Sequence, residues 1–297
     1  MKHILIIGAN GFTGRKILTD LPSFSDYRVT GCSLHPDISP ATGYTFITAD
    51  IRDATAVAKL FESVRPDVVI NTSALSVPDY CETHHEEAFE TNVMAVRHLA
   101  EQCEKQGARL IHLSTDFVFD GGEDKLYTED DLPMPVNYYG ITKLQSEQVV
   151  AAYCCDWAVA RVCVVYGKSL PGQHGNILQL VYNRLSKGET IKVVKDQYRT
   201  PTYVGDISRG VQALIEYTGN GIFHLCGKDC VSVAEIAFRV ADRLKLDRSL
   251  ILPVSTAEMN EATPRPMHSG MSITKTSRLI GYEPISLDEG IENMFLK

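Results

Sequence analysis

The chain has 297 residues, 44% of them hydrophobic, which is enough apolar material for a large core in one sizeable unit or two coupled domains. Its net charge of -8, from 29 Lys and Arg against 37 Asp and Glu, comes without any basic block that could follow a phosphate backbone, so no nucleic-acid partner is expected. No apolar run reaches the ~18 residues of a membrane span, and MKHILIIGANGFTG passes straight from a short apolar stretch into glycines instead of a secretory h-region.

The cysteines (Cys32, Cys81, Cys103, Cys154, Cys155, Cys163, Cys226 and Cys230) lack paired CxxC spacing, and Cys226 and Cys230 have no His pair nearby. They read as free thiols of a reducing cytoplasm, so a cytoplasmic location and no metal site are expected.

In chain order, short β-branched runs alternate with segments of helical period. The runs are HILIIG (3–8), YRVTGCS (27–33), YTFITAD (44–50), DVVINTSA (67–74), RLIHLST (109–115) and WAVARVCVV (157–165). Between them TGRKILTDL, DATAVAKLFESV, EEAFETNVMAVRHLAEQCEKQ and GITKLQSEQVVAAY carry apolar residues at three and four spacing. This alternation predicts an α/β fold with a Rossmann-type, doubly wound parallel sheet over 1–165. Beyond it the rhythm loosens, which predicts a smaller domain over 166–297 serving mainly the substrate. A segment near 196–217 could return to the first domain, with elements near Asp206 joining its sheet, and the stretch from Pro253 to Pro266 reads as irregular surface or a lid.

Gly8-Ala9-Asn10-Gly11-Phe12-Thr13-Gly14 follows the first strand and opens a helix. Glycines at that spacing permit a tight turn and let a pyrophosphate approach the helix start, where free N–H groups and the dipole favour anions. Asp50 and Ile51 end the third run, where a carboxylate can accept from an adenine amino group, although Asp50 could equally cap the next helix. Ser73, Ala74 and Leu75 put small side chains at the end of the fourth run, where a dinucleotide must pass. The second run ends in Ser33-Leu34-His35 without an acid for the ribose 2′-hydroxyl, which tilts the cofactor from NAD(H) towards NADP(H).

In NYYGITK (137–143), Tyr139 and Lys143 are four apart and share one helix face, whereas Tyr138 points elsewhere. A phenol of pKa ~10 needs a nearby cation to become a useful acid at neutral pH, and Lys143 can provide it. The fifth run ends in Ser114-Thr115-Asp116, on the same edge as the glycine turn. Thr115 could bond a substrate carbonyl and Asp116 a sugar hydroxyl; the bland alternative is ordinary strand-end hydroxyls before a turn at Asp120-Gly121. His84 and His85 read as a solvated helix start, and Arg265 could pair with a diphosphate.

Together GANGFTG, ADIRD, STDFVFDG, YYGITKLQSE, DQYRTPTYVGDIS and RPMHSGMSITKTSRLIGYEP resemble the dTDP-4-dehydrorhamnose reductase family of the extended short-chain dehydrogenase/reductases. The resemblance covers nearly the whole chain. It implies reduction of the C4 ketone of a dTDP-linked deoxysugar by a nicotinamide hydride. It also implies Tyr139 as proton donor, Lys143 as its partner and ribose anchor, and Thr115 as a hydroxyl tuning the donor. Gly11, Phe12, Thr13, Asp50, Ile51 and Ala74 to Ser76 would line the cofactor, and Thr115 and Asp116 would touch substrate. Where that family commonly places a sugar-contacting tryptophan, this chain has Val164; its single tryptophan, Trp157, lies earlier. The sequence leaves open another nucleotide-sugar reductase or epimerase using the same Tyr139–Lys143 pair, a dinucleotide-binding regulatory subunit without turnover that resembles that of methionine adenosyltransferase, a homodimer, and a Mg2+ ion at a subunit contact.

Overall fold

A computed structural model describes residues 1–171, 173 and 175–296. Its first half alternates β1 (Lys2–Ile7), α1 (Phe12–Asp20), β2 (Tyr27–Ser33), β3 (Thr45–Thr48), α2 (Ala54–Val64), β4 (Val68–Asn71), α3 (Pro78–Cys81), α4 (His85–Phe89), α5 (Ala95–Gln106), β5 (Arg109–Thr115), α6 (Tyr138–Tyr153) and β6 (Trp157–Val162). Alternate residues of β1 explain the layering. Ile4 and Ile6 face one core with Ile17 and Leu18 of α1, while Leu5 and Ile7 face another with Phe61 of α2 and Leu99 of α5. A strand buried on both faces belongs inside a parallel sheet. The sheet is seven-stranded in the order β11-β6-β5-β4-β1-β2-β3, parallel throughout.

The seventh strand comes from the second half of the chain. After β7 (Val165–Tyr166), α7 (Ile177–Leu185), β8 (Ile191–Val194), β9 (Tyr198–Arg199) and β10 (Thr202–Tyr203), helix α8 (Val204–Glu216) packs on β5 and β6. Strand β11 (Gly221–His224) then pairs with β6. Within 196–217, α8 lies against the first sheet while β9 and β10 stay in two-stranded pairs outside it, and beyond those bounds 221–224 enter the sheet itself. Phe223 and Leu225 explain this, since both are buried in the α1 and α8 core.

The rest comprises β12 (Val231–Ser232), α9 (Val233–Leu244), β13 (Ile251–Val254), α10 (Thr256–Met259), α11 (Thr274–Ile280) and α12 (Leu287–Phe295). Leu178, Ile191, Ile236, Val240 and Ile291 form a third core there. The stretch from Pro253 to Pro266 is more regular than its composition suggests. Pro253 and Val254 belong to β13, which pairs with β8, and a Ser255–Glu258 capping box opens α10. Pro253 is tolerated because β13 is an edge strand, and the Ser-x-x-Glu signal was present in the sequence. Among the described residues, no helix is long and apolar enough to cross a membrane.

Candidate active site

The site is built where the strand order reverses, between β1 and β4. Gly8 has φ +80°, and a Cβ there would come 2.8 Å from the Ser73 nitrogen; a Cβ on Gly14 would stand 2.3 Å from the Gly8 carbonyl oxygen. Both positions therefore need glycine, to turn the chain and to seat α1 against β4. Gly11 caps α1 without a side-chain acceptor, so the helix start faces open space with its own N–H groups. The Asn10 nitrogen donates to Ser33 Oγ at 3.0 Å, and its side chain donates to the carbonyls of His35 and Pro36 at 3.0 and 2.9 Å, tying the turn to the end of β2.

Above these strand ends lies a cavity of about 670 Å³. Gly8, Asn10, Gly11, Phe12, Thr13 and Gly14 line its floor, Ser33 and His35 one wall, Ser73, Ala74 and Ser76 another, and Tyr139 and Lys143 its far end. An adjoining recess of about 190 Å³ takes Asp50, Ile51 and Leu75. Asp50 is gripped there by Arg52 at 2.7 Å, which holds its carboxyl below the usual range. The cap of α2 is Asp53, which accepts from Thr55 N–H at 2.8 Å, so the alternative role of Asp50 as a cap falls away.

Helix α6 is placed by two contacts. Asn137 caps it by accepting from Gly140 N–H at 2.9 Å, and Gly140 lies so near the turn after β5 that a Cβ would meet the Phe117 carbonyl at 2.2 Å. That approach sets Tyr139, edge-on to Phe117 with ring centroids 5.8 Å apart, beside Thr115. Tyr138 instead stacks on His85 at 3.8 Å, and His84 stacks on Tyr80 at 3.7 Å.

Tyr139 is half-buried, and burial pushes its phenol above the ordinary value; the Thr115 hydroxyl opposes this and the charge of Asp116 adds to it. The direction is opposite to that expected from a neighbouring ammonium alone. Lys143 is 2% exposed; its Nζ donates to the Leu113 carbonyl at 2.8 Å and lies 3.1 Å from His112 Nε2. Burial draws it down to about 8, with Glu147 opposing. Glu147 accepts from Arg161 at 2.7 Å and from Ser114 at 2.5 Å, so its charge is largely taken up.

The four expected substrate contacts all meet protein neighbours. Thr115 is 6% exposed, donating to Asp116 at 3.2 Å and accepting from Phe117 N–H. Asp116 is 3% exposed and turned into protein: Ser269 donates to it, Arg199 lies 3.7 Å away, and burial raises its carboxyl above the ordinary value. Arg265 pairs with Glu261 at 2.8 Å and Asp79 at 3.2 Å, so its charge is already engaged. Val164 joins β6 to β7 at φ +38°, a strained conformation for a β-branched residue, and packs against the small core that includes Phe119 and Tyr127.

Sequence reasoning missed other groups. Asn92, in a π-turn over Glu90–Met94, accepts from Leu75 N–H at 2.7 Å and donates to the Leu75 carbonyl and Thr142, each at 3.0 Å. A lone Asn inside an apolar helical run was the available signal. Gln173 donates to the Asn10 carbonyl at 3.0 Å, a side-chain bond to the glycine turn. Arg15, 5% exposed, binds Asp37 at 2.5 Å and so neutralises the acid nearest the end of β2.

With this geometry in view, the family model described as "RmlD substrate binding domain" matches residues 1–297. The chain belongs to the RmlD substrate binding domain family. It is 28% identical to dTDP-4-dehydrorhamnose reductase of Aggregatibacter actinomycetemcomitans over 99% of this chain and 98% of that protein. It is 29% identical to methionine adenosyltransferase 2 subunit beta of Danio rerio, over 94% of this chain and 85% of that one. The crystal structure of dTDP-4-dehydrorhamnose reductase from Bacillus anthracis in complex with NADP superposes with a TM-score of 0.86 at 28% identity, covering 99% of both chains. The RmlD family match thus spans both the glycine turn and the Tyr139–Lys143 pair.

Proposed function

We propose that the protein is a cytoplasmic NAD(P)H-dependent reductase acting on the C4 ketone of dTDP-4-dehydro-L-rhamnose to give dTDP-L-rhamnose. In this reading residues 1–165 hold the cofactor and 166–297 mainly the nucleotide sugar. One observation carries it: Tyr139 and Lys143 open into the same cavity as an uncapped, glycine-floored helix start. The cavity fits a dinucleotide because Gly8, Gly11 and Gly14 in its floor let the backbone approach closely and its helix presents unpaired donors for a pyrophosphate. Asp37 is held by Arg15, so no free carboxylate closes the end of β2, which favours NADPH. The relatives named dTDP-4-dehydrorhamnose reductase support a nucleotide-sugar reductase.

Bound nicotinamide would supply a hydride for the substrate carbonyl carbon. Tyr139 gives its phenolic proton to the oxygen of that carbonyl, and its raised pKa keeps the proton in place until it is needed. Thr115 orients the phenol, Lys143 donates to a ribose hydroxyl of the cofactor, and the buried Ser114–Glu147–Arg161 chain fixes the strand end from behind.

The test is purified protein with NADPH or NADH and dTDP-4-dehydro-L-rhamnose, followed at the nicotinamide absorbance. Oxidation with this ketone in preference to other 4-keto nucleotide sugars is expected. A second reading, a dinucleotide-binding regulatory subunit without turnover, is favoured by the similarity to methionine adenosyltransferase 2 subunit beta. It would be upheld by NADPH binding without oxidation on any 4-keto sugar.

A further inference from the structure

Asn71 and His112 face each other across β4 and β5, and neither reaches solvent. Asn71 Oδ1 accepts from the Ser73 N–H at 3.0 Å, so the amide nitrogen is the end that faces His112, 3.1 Å from its Nδ1. An amide NH2 can only donate, so Nδ1 must accept, and a neutral ring then carries its proton on Nε2. Ser146 Oγ, 2.9 Å from Nε2, takes that proton as acceptor while donating its own to the Lys143 carbonyl at 2.6 Å. Lys143 Nζ lies 3.1 Å from the same Nε2. An ammonium there meets an N–H instead of a lone pair, whereas a neutral amine can turn its own lone pair toward it. The opposite tautomer would need the Asn71 amide reversed, which leaves the Ser73 N–H pointing at another donor.

We propose that His112 is a positioning residue for Lys143: fixed by Asn71 as the Nε2–H tautomer, it holds the amine against the Leu113 carbonyl and turns toward it an N–H shared with Ser146 Oγ, which favours the neutral amine over the ammonium. The inference rests on the reductase reading above. Burial keeps His112 far below its ordinary value and therefore neutral, with the Lys143 charge pushing the same way.

Burial already disfavours the ammonium of Lys143, and the other charged groups around it do not add to that effect. Glu147, one turn along α6, favours the ammonium, but Arg161 of β6 and Ser114 share its charge. Asp116 after β5 and Cys81 of α3 act on Tyr139, one turn back. His85 of α4 is stacked on Tyr138, and Arg97 of α5 lies over Tyr153 at the far end of the helix.

The test has two readouts. In 15N-histidine-labelled protein, long-range 15N–1H correlation, with the His112 signals assigned by their loss in His112→Gln, should show protonated Nε2 and bare Nδ1 from about pH 6 to 9. A His112 that is Nδ1–H, or that titrates in this range, overturns the proposal. The second readout is NADPH affinity against pH, beside kcat where ketone is reduced. His112→Gln offers Lys143 a carbonyl, and Asn71→Asp accepts from both Ser73 N–H and an Nδ1–H, turning the tautomer over with the histidine retained. Each should move the basic midpoint upward by about one pH unit. Lower kcat at an unchanged midpoint in both variants would make His112 merely structural and overturn the proposal. Shifted NADPH midpoints without ketone reduction would uphold it and sink the reductase reading.

Discussion

The two edges of the central sheet carry cavities of similar size and opposite character. At the amino edge, about 530 Å³ is lined by Lys2, Asp67, Arg109, Asp156 and Glu216. Those charges are already partnered: Lys2 pairs with Glu216 at 2.7 Å, Arg109 with Asp156, and Asp67 accepts from His3 N–H at 2.7 Å. At the carboxyl edge, the cavity of about 670 Å³ is floored by glycines and a helix start with no side-chain cap. Size therefore does not mark the site. What marks it is donors left without acceptors at the point where the sheet reverses.

The largest expected break in this contrast is Tyr139→Phe. Ketone reduction should fall by roughly 10²–10⁴-fold, the usual worth of a positioned acid, while NADPH affinity measured by fluorescence titration stays close to wild type. Turnover equal to wild type would remove the phenol from the chemistry. Next is Gly14→Ala, whose new methyl would stand 2.3 Å from the Gly8 carbonyl oxygen. Overpacking of that kind should cost about 1–3 kcal/mol in denaturant unfolding and weaken NADPH binding as well.

A pH profile sharpens the comparison further. Lys143 is drawn below the free-lysine value to about 8, so its ammonium is present below that pH and lost above it. Turnover should fall as pH rises through about 8, and the fall should move upward in Lys143→Arg, whose cation does not titrate there. The smallest effect belongs to the amino edge. Lys2 and Glu216 are 42% and 56% exposed, so Lys2→Ala should change stability by no more than about 0.5 kcal/mol and leave NADPH binding untouched. A marked loss of cofactor affinity there would contradict the assignment of the two edges.

Much of the fold was readable because burial wrote it into the period of the chain. YRVTGCS and RLIHLST occupy β2 and β5 over the residues expected of them. Strand β11 was not legible as a member of the first sheet, because its partner β6 lies some sixty residues earlier and only the buried face of Phe223 and Leu225 decides the pairing. In the site, GANGFTG and the Tyr139–Lys143 spacing carried local information that one turn or one helix face suffices to read. The Asn71–His112 pair could not be seen in the same way. It depends on the register between two strands, Asn71 opposite His112, and a histidine inside RLIHLST looks like any half-polar strand residue. The surroundings of Asp116 were hidden for a related reason: its partners Arg199 and Ser269 come from distant segments that fold over the strand end.

The placement of β11 has a consequence for how such a molecule can be taken apart. Because Gly221–His224 completes the sheet beside β6 and α8 covers β5 and β6, the two halves of the chain are interleaved, not joined in tandem. A fragment cut after residue 165 would expose β6 as a raw edge and uncover the apolar face that α8 shields, inviting aggregation. Loops and short pairs in such an architecture are therefore free to be replaced, whereas grafting the entire later half onto another scaffold would carry away part of the sheet on which the glycine turn is mounted.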